Sequence, residues 1–129
     1  MGSKNRELKI LLIDDHESVR KTLEMVLIGR GYSVVSAESG AAALAVTSSY
    51  LPDVLLCDVN LPDENGIDVA LEICRRVQNC RMILISGDPG TSEALRRAAR
   101  EGHRFEVLAK PVPPAELFAI LEDRKPPRL

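Results

Sequence analysis

A chain of 129 residues with 45% hydrophobic and 28% charged side chains has the make-up of one ordinary globular domain, which argues against disorder and against a membrane span. Seventeen basic and nineteen acidic residues leave a net charge of −2 and no basic stripe, so direct nucleic-acid binding is not expected. Three cysteines without CxxC spacing, and no apolar signal region at the N-terminus, point to a reduced, cytoplasmic protein in which Cys57 and Cys74 act as small core hydrophobes. His16 and His103 are unpaired, so there is no zinc constellation.

Residues 1–7 read as a tail, and Met1, Gly2 and Ser3 look like a cloning remnant. Leu8 to Ile13, LKILLI, is an apolar run that stops at Asp14 and Asp15, the pattern of a buried strand. From about His16 to Arg30, Val19, Leu23, Val26 and Leu27 recur at helical spacing, with Gly31 as the stop. Ser33 to Ser36 is a short β-branched strand, and the alanine-rich Gly40 to Ser48 a second helix.

Val54 to Cys57 is a strand buried on both faces, ending in Asp58 and followed by loop chemistry from Val59 to Gly66. Ile67 to Val77 reads as the third helix, and Met82 to Ile85 as the fourth strand, ending at Ser86. The GDPGTSE loop offers Thr91 or Ser92 as the cap of a fourth helix that runs to Glu101 and closes at Gly102. Phe105 to Ala109 is the fifth strand, ending at Lys110 and Pro111; Pro113 and Pro114 open the fifth helix. The domain spans 8–123, and 124–129 is a proline-rich tail or the start of a linker.

Strands alternating with helices predict a doubly wound α/β domain around a five-stranded parallel sheet, whose strand order periodicity alone does not give. In such a sheet ligands gather at the C-terminal ends of the strands. There the chain places Asp14 and Asp15, Asp58, Ser86 and Lys110, all on one rim.

Three carboxylates in one site repel one another, and one lysine does not neutralise them, so a divalent cation is required. Hard oxygen donors, too few for a calcium cage, suit a largely hydrated Mg²⁺. An EF-hand reading of the loop from Asp58 fails, because Asp63 stands where glycine is needed and Val69 where glutamate is needed. A carboxylate beside Mg²⁺, with a lysine and a hydroxyl to hold phosphoryl oxygens, is a place to form an aspartyl phosphate. The scarcity of aromatics argues against a glycosidase, and the absence of a GxxxxGK[ST] or GxGxxG loop argues against nucleotide binding.

At these residues the chain resembles the receiver domains of two-component response regulators, over Leu8 to Leu121. The motifs are Asp14-Asp15 after strand one, DVNLPDENG with Asp58, Ser86-Gly87 after strand four and Lys110-Pro111 after strand five. The resemblance implies a flavodoxin-like (βα)5 fold of strand order 2-1-3-4-5. It also implies that Asp58 takes a phosphoryl group from a phosphohistidine of a histidine kinase or histidine phosphotransfer protein. Asp15, Asp58 and the Asn60 carbonyl would bind Mg²⁺ directly and Asp14 through water; Lys110 would pair with the phosphate and Ser86 would hydrogen-bond it. Such a protein catalyses its own phosphorylation and dephosphorylation without being an enzyme in the ordinary sense, with kinase activity only as part of a hybrid histidine kinase. Its output goes to a downstream protein or fused effector domain, with no nucleic-acid or membrane contact of its own.

One departure is Val107, where the family usually carries a switching tyrosine or phenylalanine, which puts an aromatic flip in doubt. His16 reads either as a helix-start residue facing water or as a group near the donor, and Asp88 either as a loop acid or as a gate for water. The alternatives are a phosphorylation-independent adaptor and a phosphatase with Asn60 at the position of a further acid.

Overall fold

The structure is a computed structural model that describes residues 7–62 and 64–123. The tails expected at 1–7 and 124–129 therefore lie outside the described residues, apart from Glu7. The elements run β1 (Lys9–Ile13), α1 (Glu17–Gly29), β2 (Ser33–Ala37), α2 (Gly40–Val46), β3 (Val54–Asp58), β4 (Asn60–Leu61), β5 (Glu64–Asn65), α3 (Gly66–Arg76), β6 (Arg81–Ser86), α4 (Glu93–Arg100), β7 (Glu106–Ala109) and α5 (Pro114–Glu122). The expected alternation is present. The addition is the two-residue pair β4 and β5, which turns what reads as plain loop after Asp58 into a short antiparallel hairpin.

The main sheet is parallel, in the order β2-β1-β3-β6-β7. Without the small hairpin this is 2-1-3-4-5, as the resemblance implies. The central strands are covered on both faces, which is why LKILLI, VLLCD and RMILIS read as unbroken apolar runs. One face packs Leu11, Ile13, Leu55 and Leu84 against α2, α3 and α4 through Ala43, Ile73, Leu95 and Ala98. The other packs Ile10, Leu12, Leu56 and Ile83 against α1 and α5 through Leu23, Leu27, Leu117 and Leu121.

Local chemistry sets the helix ends. Gly31 takes φ of +100° after α1, a conformation most side chains resist. Ser39 Oγ accepts the Ala42 N–H at 3.2 Å, and of the two expected caps for α4 it is Ser92 whose Oγ accepts the Leu95 N–H, also at 3.2 Å. Among the described residues no helix is long and apolar enough to cross a membrane.

The edge strand β7 is tied in by Arg81, which donates through Nε and Nη2 to the Glu106 carboxylate at 2.6 and 2.7 Å, and through Nη2 to the Ile120 carbonyl at 2.7 Å. Both side chains are largely covered, so removing one partner strands the other's charge. Arg81→Ala is expected to cost about 3 kcal/mol in urea unfolding. Glu106→Ala should cost a similar amount, and the double variant clearly less than the sum.

Candidate functional site

The parallel register brings the strand ends level. Ile13 lies beside Cys57, so Asp14 emerges next to Asp58; Ser86 lies beside Ala109, so Lys110 emerges next to Ser86. Backbone bonds from Asp14 N–H to the Ala37 carbonyl, Val59 N–H to Ile85 and Lys110 N–H to Ser86 carry the ladder past the strand ends, at 3.1, 2.9 and 2.9 Å. Asp14, Asp15, Asp58, Ser86 and Lys110 are thus brought to one rim.

Asp58 is fully buried. Its Oδ1 accepts the Asn60 N–H at 2.9 Å and its Oδ2 accepts from Lys110 Nζ at 2.6 Å. Asp14 is almost as deeply placed and accepts the His16 N–H at 2.9 Å through Oδ1. Burial pushes the Asp14 carboxyl above its ordinary value; the His16 N–H and Lys110 oppose this, while Asp58 and Asp15 add to it. Arg20 binds the Asp14 carbonyl through Nη1 at 2.9 Å, fixing the turn from β1 into α1. Ser86 is buried, and its Oγ accepts the Asp88 N–H at 3.1 Å. The Lys110-Pro111 peptide is cis.

Asp15 is half-buried, and its Oδ1 is shielded from solvent without a hydrogen-bond partner, a costly state for a carboxylate oxygen. The nearest basic group is His16 Nδ1, 3.4 Å from Asp15 Oδ1 and 3.6 Å from Asp14 Oδ1, an ion pair only when the imidazole is protonated. His16 is exposed, as a helix-start residue should be, but it also leans over the acid pair. One ligand atom each from Asp14, Asp15, His16 and Asp58 lie within 4.8 Å of one another. Two carboxylates at 4.8 Å repel by roughly 3 kcal/mol at an effective dielectric of 20, and Lys110 touches only one of the three. The orphaned Asp15 oxygen and the carboxylate donor set fit a hard divalent cation.

Two residues of the site escape sequence reasoning. A Cβ on Gly66 would stand 1.9 Å from the Asp58 carbonyl oxygen and 2.8 Å from Val59 Cα, so α3 begins directly against the backbone of Asp58 and only glycine fits there. Glu64 reaches across to α2, where its Oε2 accepts the Gly40 N–H at 2.6 Å. The signal for Gly66 is its place at the end of DVNLPDENG, which alone reads as a turn; nothing local signals Glu64. Asn65, whose Oδ1 accepts the Ile67 N–H at 2.8 Å, caps α3 between them.

A parallel sheet of this order with a buried acid at its switch point defines a flavodoxin-like module whose chemistry lies on one rim. The chain belongs to the response regulator receiver domain family, which matches residues 10–122 and makes it a phosphoacceptor module of two-component signalling. It is 43% identical over 112 residues to the transcriptional regulatory protein KdpE of Mycobacterium tuberculosis, covering 87% of this chain and 48% of that protein. It is 30% identical over 113 residues to the DNA-binding transcriptional regulator NtrC of Escherichia coli, covering 88% of this chain and 24% of that protein. The chain thus spans half or less of the length of these curated relatives. Among solved structures it is similar to chemotaxis protein CheY4 of Vibrio cholerae, with a TM-score of 0.80, 27% identity and coverage of 91% and 98% of the two chains. It is also similar to the signal receiver domain of an HD domain-containing protein from Pseudomonas fluorescens Pf-5, with a TM-score of 0.81, 28% identity and coverage of 90% and 92%.

The raised Asp14 carboxyl gives a signed expectation for the metal-free protein. Its charged form is disfavoured by folding, so the associated stability is complete below the unfolded value near 3.8 and is lost as pH rises through the higher folded value. Asp14→Asn in chelator should therefore raise the thermal midpoint at neutral pH, and the gain should vanish below pH 3.8. The check is a pair of melting curves across that range.

Proposed function

We propose that Asp58 accepts a phosphoryl group from a phosphohistidine of a histidine kinase or histidine phosphotransfer protein, in a cytoplasmic setting. An Asp58 carboxylate oxygen attacks phosphorus, the bond to the histidine nitrogen breaks, and the imidazole leaves. The observation that carries this reading is the fully buried Asp58 with Lys110 Nζ at 2.6 Å and two further acids within 4.8 Å. This is a nucleophile set in a region of negative charge that a divalent cation would balance, which would also let an anionic phosphoryl group approach.

Mg²⁺, held by Asp15, Asp58 and the Asn60 carbonyl and through water by Asp14, would neutralise charge on the phosphoryl oxygens. Lys110 holds Asp58 ready before transfer and pairs with the new phosphate after it. Ser86 then exchanges its contact with the Asp88 N–H for a phosphate oxygen, which pulls on the loop that starts at Gly87. Hydrolysis of the acyl phosphate on the same residues returns the module to rest, so the chain catalyses both halves of its own cycle. Residues 8–123 act as the receiver, and output passes to a downstream protein or to an effector domain in the same polypeptide. A phosphorylation-independent adaptor would leave Asp14, Asp15, Asp58, Ser86 and Lys110 together without a use.

Intact-mass measurement with acetyl phosphate and Mg²⁺ is expected to show one phosphate, lost completely in Asp58→Asn or in excess chelator. Lys110→Ala should slow labelling on the order of a hundredfold or more. Ser86→Ala should keep the label but blunt the chemical-shift response; an undiminished adduct in Asp58→Asn would overturn the assignment. Relaxation-dispersion NMR on the unphosphorylated chain should find exchange across Gly87 to Glu101, since the active arrangement differs by a small gap where Val107 replaces an aromatic. A flat profile there would leave contact at the Asp58 rim as the route of output.

A further inference from the structure

At the opposite end of the sheet from Asp58, the last turn of α3 and the start of β6 bring two thiols together. The chain reverses through Asn79 in the left-handed region, φ 62°, and returns Cys80 beside Cys74. Cys74 Sγ lies 3.7 Å from the Cys80 carbonyl oxygen, which sets the two cysteines side by side. Both are half-buried, unlike Cys57, which is sealed in the core and whose thiol burial pushes far up. Cys74 is therefore more than the core hydrophobe its sequence context suggests.

Cys74 also faces a cavity of about 510 Å³, lined by Leu71, Cys74, Arg75, Met82, His103 and Arg104. Of its basic groups, Arg75 is paired with Glu72 at 2.6 Å and His103 stands 3.7 Å from Glu101, which leaves Arg104 as the group that favours an anionic guest. Cys80 does not line it. The neighbouring Cys80 thiol lowers the Cys74 thiol against the opposing effect of burial, and Cys74 in turn raises that of Cys80, so Cys74 is the one that forms a thiolate. The C-terminal turn of α3 opposes negative charge, and Arg75 and Arg76 in that turn, both paired with Glu72, offset it in part.

We propose that Cys74 and Cys80 are a reversible dithiol/disulfide pair, oxidised by a small anionic disulfide of the glutathione class that enters this cavity. The Cys74 thiolate attacks one sulfur of the guest, forms a mixed disulfide and expels one glutathione thiolate, which takes up a proton. Cys80 then loses its proton to solvent and attacks Cys74 Sγ, forming the protein disulfide and expelling the second glutathione. Two protein thiols are oxidised and one small disulfide is reduced to two thiols. A bridge that a small disulfide forms at a half-buried pair next to a cavity responds to redox poise, as do the few disulfides of reducing compartments.

The test is to expose the full chain natively to glutathione disulfide, quench with acid, alkylate under denaturation with N-ethylmaleimide, and read intact mass and tryptic fragments. The expected product is two hydrogen masses lighter, alkylated only at Cys57, and holds the Cys74 and Cys80 fragments together although trypsin cuts between them at Arg76. Dithiothreitol should restore all three thiols. Cys80→Ser should stop at a mixed disulfide on Cys74, and Cys74→Ser should gain no glutathione on Cys80. Full alkylation of all three cysteines after exposure would overturn the proposal, as would a bridge between two chains. An adduct on Cys80 of Cys74→Ser in wild-type yield would also overturn it. Asp58 labelling of each variant reports its fold independently of the thiols.

Discussion

The contact on which the rim depends is the one between Lys110 and Asp58, residues 52 apart in sequence and separated in the sheet by the whole of β6. At ordinary strand spacing their backbones are roughly 10 Å apart, a gap that a four-carbon stem spans and a short base does not. The contact requires that β3, β6 and β7 end level. The register Asp58 to Ile85 and Ser86 to Ala109 achieves this, with the Lys110 N–H bound to the Ser86 carbonyl at the last rung. A slip of one residue in any pairing would turn the lysine to the other face of the sheet. The tight apolar core of the central strands is therefore what aims the polar chemistry at their ends.

On the other side of Asp58 the structure is at odds with itself electrostatically. Asp14 is buried beside it, Asp15 presents an oxygen without a partner, and Lys110 reaches only one of the three acids. Well-packed domains avoid such arrangements unless a function uses them. The covering layers make the arrangement tenable: Arg20 of α1 and the His16 N–H at its start fix Asp14, while Gly66 at the start of α3 packs against the backbone of Asp58. Stability drawn from Leu55, Leu56, Ile83 and Leu84 is in effect spent on holding three like charges together.

Much of this was legible from the chain. Unbroken apolar runs that stop at an acid, a serine or a lysine report both the buried parallel strands and the rim, because burial on two faces and exposure at a strand end are local properties. Long-range contacts leave no such trace. The hairpin Asn60–Leu61 with Glu64–Asn65 is too short for a period, and the reach of Glu64 to the Gly40 N–H links segments 24 residues apart. Gly66 shows only as a turn glycine, although its constraint is the Asp58 carbonyl pressing where a Cβ would be. Cys74 and Cys80 look unrelated until Asn79 turns the chain back. The double role of His16, exposed yet leaning over two carboxylates, depends on the angle at which α1 leaves β1.

The helices around the rim are anchored unequally, and that inequality bears on how the rim is read by a partner. α3 buries Gly66, Ile67, Val69, Ala70 and Ile73, and its first residue is wedged against Asp58, so shifting it would disturb Asp58 itself. α4 buries only Leu95 and Ala98 and is joined to Ser86 by a loop whose residues 87–91 are all exposed. At roughly 1.5–3 kcal/mol for a large aliphatic side chain, Leu95 is its main hold on the sheet. Val107 packs, half-buried, against the same cluster as Leu95 and Ala98, and its branched side chain has little rotameric freedom with which to mark two states. Displacing α4 and its loop over a nearly unchanged β7 surface thus costs less than displacing α3. A valine in place of an aromatic fits that mode because it leaves no large ring to be accommodated inside or outside the fold.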